Sequence, residues 1–407
     1  MTEVRRLNAG DVPSQSRIYS LAFNMRKDFA KEEKEKAGKP DPLADPPEWS
    51  WGAFQNGKLV SVIIEFDYLM RFDRQSVPLS GIGGVATLPE YRKGGLVRQI
   101  FDKFFAEAYE KGVLFSNLVP FSHNYYRQFG YETACARKII SIPLREFSHL
   151  KLKGEFIQIY PGDDTSKLNE VHNSYIDNLN HAIARDYWPD NRAWKVFTKE
   201  DPYSTGVHVF LWMDDKGVPK GYVRYDTPRS NNENSKVISV QHLAFVDRDA
   251  LYGVLSLCGV LGAQFDKFQW VMPTFLDAAD FVKDPFNIEQ KIIPRDMTRV
   301  IHVKKALEKM RRPAGEGEYV IEVEDSTIKA NKGRYLIEYG KEGSRVTVSE
   351  KEPDMHCDVT VLSQLITGYR SLENALYSRN SGLEVHKNVE HLKQVFTERP
   401  QHLTEYF

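Results

Sequence analysis

The densest chemistry in this 407-residue chain lies in one short run, Arg92-Lys93-Gly94-Gly95. Two cations precede two glycines. A helical period then follows at Leu96, Ile100, Phe104 and Ala108. The start of a helix leaves its first backbone N–H groups unpaired and carries partial positive charge, so it suits a phosphate. Glycine lets that backbone approach a ligand closely, and Arg92 and Lys93 add formal charge. On its own the run also fits an ordinary strand-to-helix turn with surface cations. The stretch before it is apolar and strand-like, at Leu79, Ile82 and Val85. It holds a rival motif, Gly81-Ile82-Gly83-Gly84-Val85-Ala86, which matches the G-x-G-x-x-A dinucleotide fingerprint. That fingerprint must open a helix directly. Here Thr87-Leu88-Pro89 follows, and a residue before proline avoids helical geometry. Glycines in a bulged strand are the better reading.

The spacing sharpens the first motif. Arg92-x-x-Gly95-x-Val97 behind Val85-Ala86-Thr87 resembles the acetyl-CoA pyrophosphate loop of the GNAT N-acetyltransferases, with Val97 where that loop usually has Gly or Ala. The elements that must position it follow from the pattern. Val4–Leu7 reads as a strand. Asp11-Val12-Pro13 opens a helix with Ile18, Leu21 and Ala22 inward. Trp51–Phe54 and Leu59–Ile64 flank Asn56-Gly57 and form a hairpin. Strands follow at Leu79–Ala86, Val113–Val119 and Ile139–Leu144, with a short helix from Ser122 to Gly130. This is a mixed α/β unit. Lys31–Lys39 reads as a solvated or mobile run. Its acids Asp28, Glu32 and Glu33 border the acceptor site in this fold family and are candidates for binding an amine.

A second pass of the same order runs downstream. Val207–Met213 and Gly221–Tyr225 form a hairpin, Val237–Phe245 a long strand, Leu251–Ala263 an apolar helix, and Phe268–Met272 another strand. Its equivalent loop, Val246-Asp247-Arg248-Asp249, lacks glycine and carries two acids that would repel a pyrophosphate. The second unit is therefore expected to be a degenerate copy without cofactor. After Arg295–Val300 the pattern changes to half-buried strands at Tyr319–Val323, Gly333–Tyr339, Gly343–Val348 and Cys357–Val361. Helices are expected at Leu362–Arg370 and Val389–Phe396. This last segment resembles a sterol-carrier-protein-like domain.

The whole-chain numbers bound the function. Length predicts two to three domains. Formal net charge is -1, which provides no global field for nucleic acid or an anionic membrane. Cys135, Cys258 and Cys357 are far apart, so neither a disulfide framework nor structural zinc is expected, and a cytoplasmic location fits. No signal-peptide core is read at the first residues, and Leu251–Ala263 is too short to span a membrane. The histidines form no H-E-x-x-H, and His386 and His391 stand five apart, so no metal site is expected. Cys135 has no legible activating partner, and neither a Walker loop nor a G-x-S-x-G elbow is present.

Two acetyltransferase-like units followed by a sterol-carrier-like unit, ending in an aromatic, is the layout of the Eis (enhanced intracellular survival) family. The chain resembles that family through Val85–Leu96, Tyr126-Arg127-Gln128-Phe129-Gly130-Tyr131, Leu365–Arg370 and Tyr406-Phe407. The resemblance implies an α/β (mixed α+β) architecture. Residues 1–146 form an acetyltransferase domain with the acetyl-CoA site, 147–293 its degenerate copy, and 294–407 the sterol-carrier-like domain. It implies an acetyl-CoA-dependent N-acetyltransferase of multi-amine acceptors such as aminoglycosides, and possible action on protein lysines, assembled as a homohexamer. By the same resemblance, Val85, Ala86 and Thr87 meet the acetyl and pantetheine part. Arg92 and the loop Lys93, Gly94, Gly95, Leu96, Val97 and Arg98 hold the pyrophosphate. Phe121, where the family often has serine, and Ser122 make further contacts. Tyr126 is the general acid, and the C-terminal carboxylate of Phe407 is the general base.

Those roles suit the chemistry. The attacking amine must lose a proton to a base, directly or through water, and the departing thiolate benefits from one given by a tyrosine. Read without the resemblance, Tyr125, Tyr126 and Tyr131 are packing aromatics and Phe407 is a solvated tail. Two other functions stay open on the residues alone. One is a non-catalytic lipid carrier on an acetyltransferase scaffold. The other is a protein-lysine acetyltransferase.

Overall fold

The computed structural model describes residues 1–25, 43–185, 191–228, 236–341, 343–378 and 382–405. The first segment runs β1 (Thr2–Arg6), α1 (Val12–Ala22), β2 (Ser50–Gln55), β3 (Lys58–Phe72), β4 (Gln75–Thr87), α2 (Leu96–Glu110), β5 (Phe115–Leu118), α3 (His123–Arg127) and β6 (Glu132–Pro143). The second runs β7 (Glu155–Ile159), α4 (Ser166–Ile176), α5 (Arg192–Phe197), α6 (Pro202–Thr205), β8 (Val207–Met213), β9 (Pro219–Asp226), β10 (Val237–Phe245), α7 (Arg248–Leu261), β11 (Lys267–Met272) and β12 (Glu289–Val300). The third runs α8 (Val303–Lys309), β13 (Gly317–Glu324), β14 (Gly333–Gly340), β15 (Gly343–Val348), β16 (Met355–Asp358), α9 (Val359–Ile366), α10 (Leu372–Leu376), β17 (Leu383–Val385) and α11 (Val389–Val395).

Local chemistry explains these elements. Asn56 and Gly57 take φ of 50° and 76°, the two positive values a tight primed turn demands, and Gln55 pairs with Lys58 across it. α2 turns Leu96, Ile100, Phe101, Phe104, Phe105 and Ala108 into the core, an apolar stripe at helical spacing. α7 starts at Asp247, whose carboxylate accepts from Ala250 N–H.

The first two segments share one twelve-stranded sheet, in the order β1-β2-β3-β4-β5-β12-β6-β11-β10-β9-β8-β7. β6 does not form an edge, because β12 covers one side of it and β11 the other. β12 belongs to the second pass, yet its end pairs with β5 of the first, Met297–Val300 against Leu118–Phe115. It runs straight through residue 294, where the second and third domains were expected to meet. The third segment makes a five-stranded sheet, β15-β14-β13-β16-β17. Its core is continuous with the first unit, since Tyr68, Leu79 and Phe115 pack in one cluster with Ile321, Leu362 and Leu403.

Two further expectations change. Cys357–Val361 is not all strand, because β16 stops at Asp358, which accepts from Thr360 and Val361 N–H and caps α9. The helix therefore begins three residues before Leu362 and ends at Ile366, ahead of the left-handed Gly368 (φ 73°). Leu21 is 58% exposed, while Ile18 is buried and Ala22 packs beside it. At about 100° per residue, the buried arc from Ile18 to Tyr19 and Ala22 leaves Leu21 roughly 100° off its centre.

Candidate active site

The glycine run Gly81–Ala86 lies wholly inside β4 and contains the expected bulge. Pairing with β3 jumps from Gly83↔Ile64 to Ala86↔Val62, so Gly84 and Val85 face one partner residue. Gly84 takes a φ of 57°, and a Cβ there would lie 2.4 Å from the Tyr19 hydroxyl. The bulge turns the backbone of Val85 out of the ladder, where its polar groups can meet a ligand. Ser61 Oγ holds the next residues, donating to the Ala86 carbonyl at 3.1 Å and pairing with Thr87 Oγ1 at 2.7 Å.

Beyond Thr87 the chain turns through Arg92, whose Nε donates to the Thr87 carbonyl at 3.2 Å. Lys93 and Gly95 both take positive φ, 66° and 70°. Gly95 is the N-cap of α2 and provides no side-chain cap. Among the described residues no side chain caps the first N–H groups of α2, and the space at the Gly95 Cβ position is open, a cradle that fits a pyrophosphate.

These residues wall one groove of about 770 Å³. Of those expected at the cofactor, Val85, Ala86, Thr87, Arg92, Lys93, Gly95, Leu96, Val97, Arg98 and Phe121 line it. Gly94 and Ser122 do not. Ser122 caps α3 instead, its hydroxyl oxygen accepting from Tyr125 N–H at 3.3 Å. Sequence reasoning missed Ala22, Phe23, Tyr91, Tyr125, Gln128 and Phe129 on the same wall. Gln128 and Phe129 fall in the Tyr126–Tyr131 motif, and Tyr125 directly precedes it, so all three were legible there. Ala22 and Phe23 reach the groove only through the packing of α1.

Tyr126 is 2% exposed and sits behind that wall, its ring edge-on to Phe121, Tyr125 and Tyr131. Burial pushes its hydroxyl well above the usual phenol range. Among the described residues nothing hydrogen-bonds that hydroxyl. Phe407, Asp28, Glu32 and Glu33 lie outside the described residues. The chain leading to Phe407 is buried from Gln401 to Thr404.

A second cavity, of about 520 Å³, opens where that tail arrives. Tyr68, Phe197, Arg185, Arg224, Asp226, His242 and Glu405 are on its wall. Arg185 is buried. It bonds Glu405 at 2.5 Å and the Tyr222 hydroxyl at 3.2 Å, and its guanidinium lies 4.1 Å over the Phe197 ring. Burial and the neighbouring Arg185 hold His242 neutral. Burial raises the Asp226 carboxyl above its usual range.

Asp296 was not read from the sequence. It is fully buried on β12 opposite Cys135, and neither carboxylate oxygen has a partner among the described residues. Burial pushes it up to about 6. Both amide atoms of the buried Asn117, paired with Thr298 on β12, are also unpartnered among the described residues, and each such atom is a place for an ordered water or a polar ligand group. No local signal marked it, since Asp296-Met297-Thr298-Arg299-Val300 mixes polar and apolar residues.

Among the described residues no group of three or more His, Cys, Asp or Glu stands together to hold a metal, and no helix is long and apolar enough to cross a membrane.

Residues 3–134 and 183–300 each match an acetyltransferase (GNAT) domain, and 303–404 match a sterol carrier protein domain. The chain is 21% identical over 347 residues to an uncharacterized N-acetyltransferase of Streptomyces griseus, covering 79% of this chain and 80% of that one. A GCN5-related N-acetyltransferase from Anabaena variabilis superposes over 100% of both chains with a TM-score of 0.85 at 18% identity. Eis1 from Mycobacterium abscessus does so over 100% of both with a TM-score of 0.76, also at 18%. The tandem acetyltransferase folds and the sterol-carrier-like domain read from the sequence are thus present. The chain is an acyltransferase, of a domain class that uses acetyl-CoA as co-substrate.

Proposed function

We propose that the chain moves an acetyl group from acetyl-CoA to an amine of a small multi-amine acceptor, aminoglycosides among them, as the resemblance to the Eis family implies. The observation that carries this reading is the uncapped, glycine-led start of α2 opening onto the groove that Val85–Thr87 lines. Bound acetyl-CoA supplies an acyl group activated as a thioester. Arg92, Lys93 and the first N–H groups of α2 hold the pyrophosphate. The Val85 N–H, released by the bulge, steadies the carbonyl oxygen as charge grows on it. The Phe407 carboxylate receives the proton of the attacking amine.

Tyr126 serves the leaving thiolate. A phenol near 10 is a weaker acid than a thiol near 8.5, so full transfer is uphill by about 2 kcal/mol, and burial adds to that. The hydroxyl therefore acts by donating a hydrogen bond as thiolate charge develops. A homohexamer, also implied by the resemblance, is checked by light scattering.

Mass spectrometry of kanamycin incubated with acetyl-CoA and the chain tests the reading. Successive additions of acetyl are expected. Tyr126→Phe lowers kcat by about a hundredfold with acetyl-CoA affinity intact. Loss of all acetyl-CoA binding in the unmodified chain overturns it. A second reading is favoured by the tail-side cavity, where Arg185 and Arg224 balance Glu405 and Asp226 and His242 is neutral. A polycation gains little there, whereas one amine on an apolar body can pack on Tyr68 and Phe197. Preferential acetylation of phenylethylamine over kanamycin in one mixture selects that acceptor class.

A further inference from the structure

We propose that the second acetyltransferase unit is the receptor for the chain's own C-terminal segment, and that Tyr175 and His242 are positioning residues acting through it. The consequence for turnover rests on the acyltransferase reading above, and the binding does not.

The two units share one device. In each, two parallel strands pair for four residues and then part. β4 and β5 pair from Leu79↔Phe115 to Ile82↔Leu118, and β10 and β11 from Val237↔Lys267 to Val240↔Trp270. Each central strand is irregular at the parting, between Gly83 and Ala86 in one and between Val240 and His242 in the other. In the first unit the space beyond is the open groove. In the second it is bridged by residues 402–404. His402 Nε2 lies 3.3 Å from the carbonyl oxygen of Val271, the first β11 residue past the pairing. Its Nδ1 lies 2.6 Å from the Tyr175 hydroxyl. One neutral tautomer satisfies both, with Nε2–H donating to the carbonyl and Nδ1 accepting from Tyr175.

On the other strand the bonds close a ring. Arg185 donates to His242 Nε2 at 2.8 Å, which leaves the proton on Nδ1 to donate to Thr404 Oγ1 at 3.4 Å. Thr404 then donates to Glu405 Oε2 at 3.0 Å, and Glu405 Oε1 accepts from Arg185. Between these two anchors Leu403 leaves the second unit and enters the core shared with Tyr68, Leu79 and Phe115 of the first. The second unit's helix start cannot compete for a phosphate, since Asp247 caps it and also pairs with Lys220 at 3.1 Å. Its cleft has exchanged a diffusing ligand for a tethered one.

Hydrogen exchange of the amides of residues 402–405 tests this in the full chain, alongside acetyl-CoA affinity and turnover. Tyr175→Phe and His242→Ala are each expected to speed that exchange about tenfold or more. The acetyl-CoA Kd should stay within twofold, and kcat should fall in the same order as the loosening. Unchanged protection of the tail in both variants overturns the receptor. A loosened tail with unchanged kcat overturns the positioning role. If the unmodified chain fails to bind acetyl-CoA, the acyltransferase reading falls while the exchange result stands. Tyr175→Phe removes a single oxygen and carries the test should His242→Ala not fold.

Discussion

At the scale of single residues, Gly84 and Gly57 show how differently two left-handed glycines are constrained. Both have positive φ, 57° and 76°. A Cβ on Gly57 meets nothing within 4 Å, whereas one on Gly84 would strike Tyr19 at 2.4 Å. Gly57→Ala should cost only backbone strain, about 1 kcal/mol. Gly84→Ala adds displacement of Tyr19 and should cost about 1–3 kcal/mol. It should also weaken acetyl-CoA binding, because Val85 is the next residue. Urea midpoints of the two variants, with titration calorimetry, check both. The bulge was legible from Gly81–Ala86 followed by Pro89. The contact with Tyr19 was not, because it depends on how α1 lies across β4.

At the scale of elements, the two equivalent helix starts carry opposite solutions to the same unpaired N–H groups. α2 leaves them open behind Gly95, and α7 closes them with Asp247. Asp247→Ala should therefore destabilise the chain by about 1 kcal/mol, read as a lower thermal midpoint. It should create no second acetyl-CoA site, since Gly253 already places the Trp212 ring against the helix and the cleft beyond holds the tail. Stoichiometry by calorimetry checks that point. The loop chemistry was readable as sequence, because acids against glycines decide it locally. The end of β16 was not read, although Asp358 is the same kind of cap, because its strand-like neighbours masked the change of period.

At the scale of the molecule, the units are bound by buried polar contacts. Arg299 on β12 donates to Asp325, which follows β13 in the third segment, with both side chains fully buried, and also to the Phe129 carbonyl. Arg299→Met alone strands a buried carboxylate and should cost about 3–5 kcal/mol. Adding Asp325→Asn should recover part of that, as a double-mutant cycle in urea would show. Stability should also depend on acid. Burial lowers His181 and His402 to about 4, and His172 and His242 well below the usual range. Above pH 6.5 both folded and unfolded forms are neutral, and nothing is lost. From 6.5 down to 4 the unfolded chain binds protons that the folded one refuses, so stability falls with pH, by about 3 kcal/mol at pH 4 for each of His181 and His402 and in the same direction for His172 and His242. Asp296, raised to about 6, works the other way over the same range, as do Asp67 and Asp226, which burial also raises, so these three carboxyls offset part of the loss from the four rings. The urea midpoint should drop between pH 7 and 5, and an unchanged midpoint would contradict the burial of these rings.

The sequence by itself determined the local chemistry: the glycine-led helix start after β4, its acidic counterpart after β10, the Asn56-Gly57 turn and the apolar face of α2. Each depends on residues within a few positions of one another, where side-chain type sets backbone geometry. Only the tertiary structure decided that β12 lies between β5 and β6, that Asp296 and Asn117 are buried without partners among the described residues, and that residues 402–404 cross the cleft of the second unit. Those facts join positions more than a hundred residues apart. Strand exchange and burial depend on which surfaces meet, and no spacing along the chain records that.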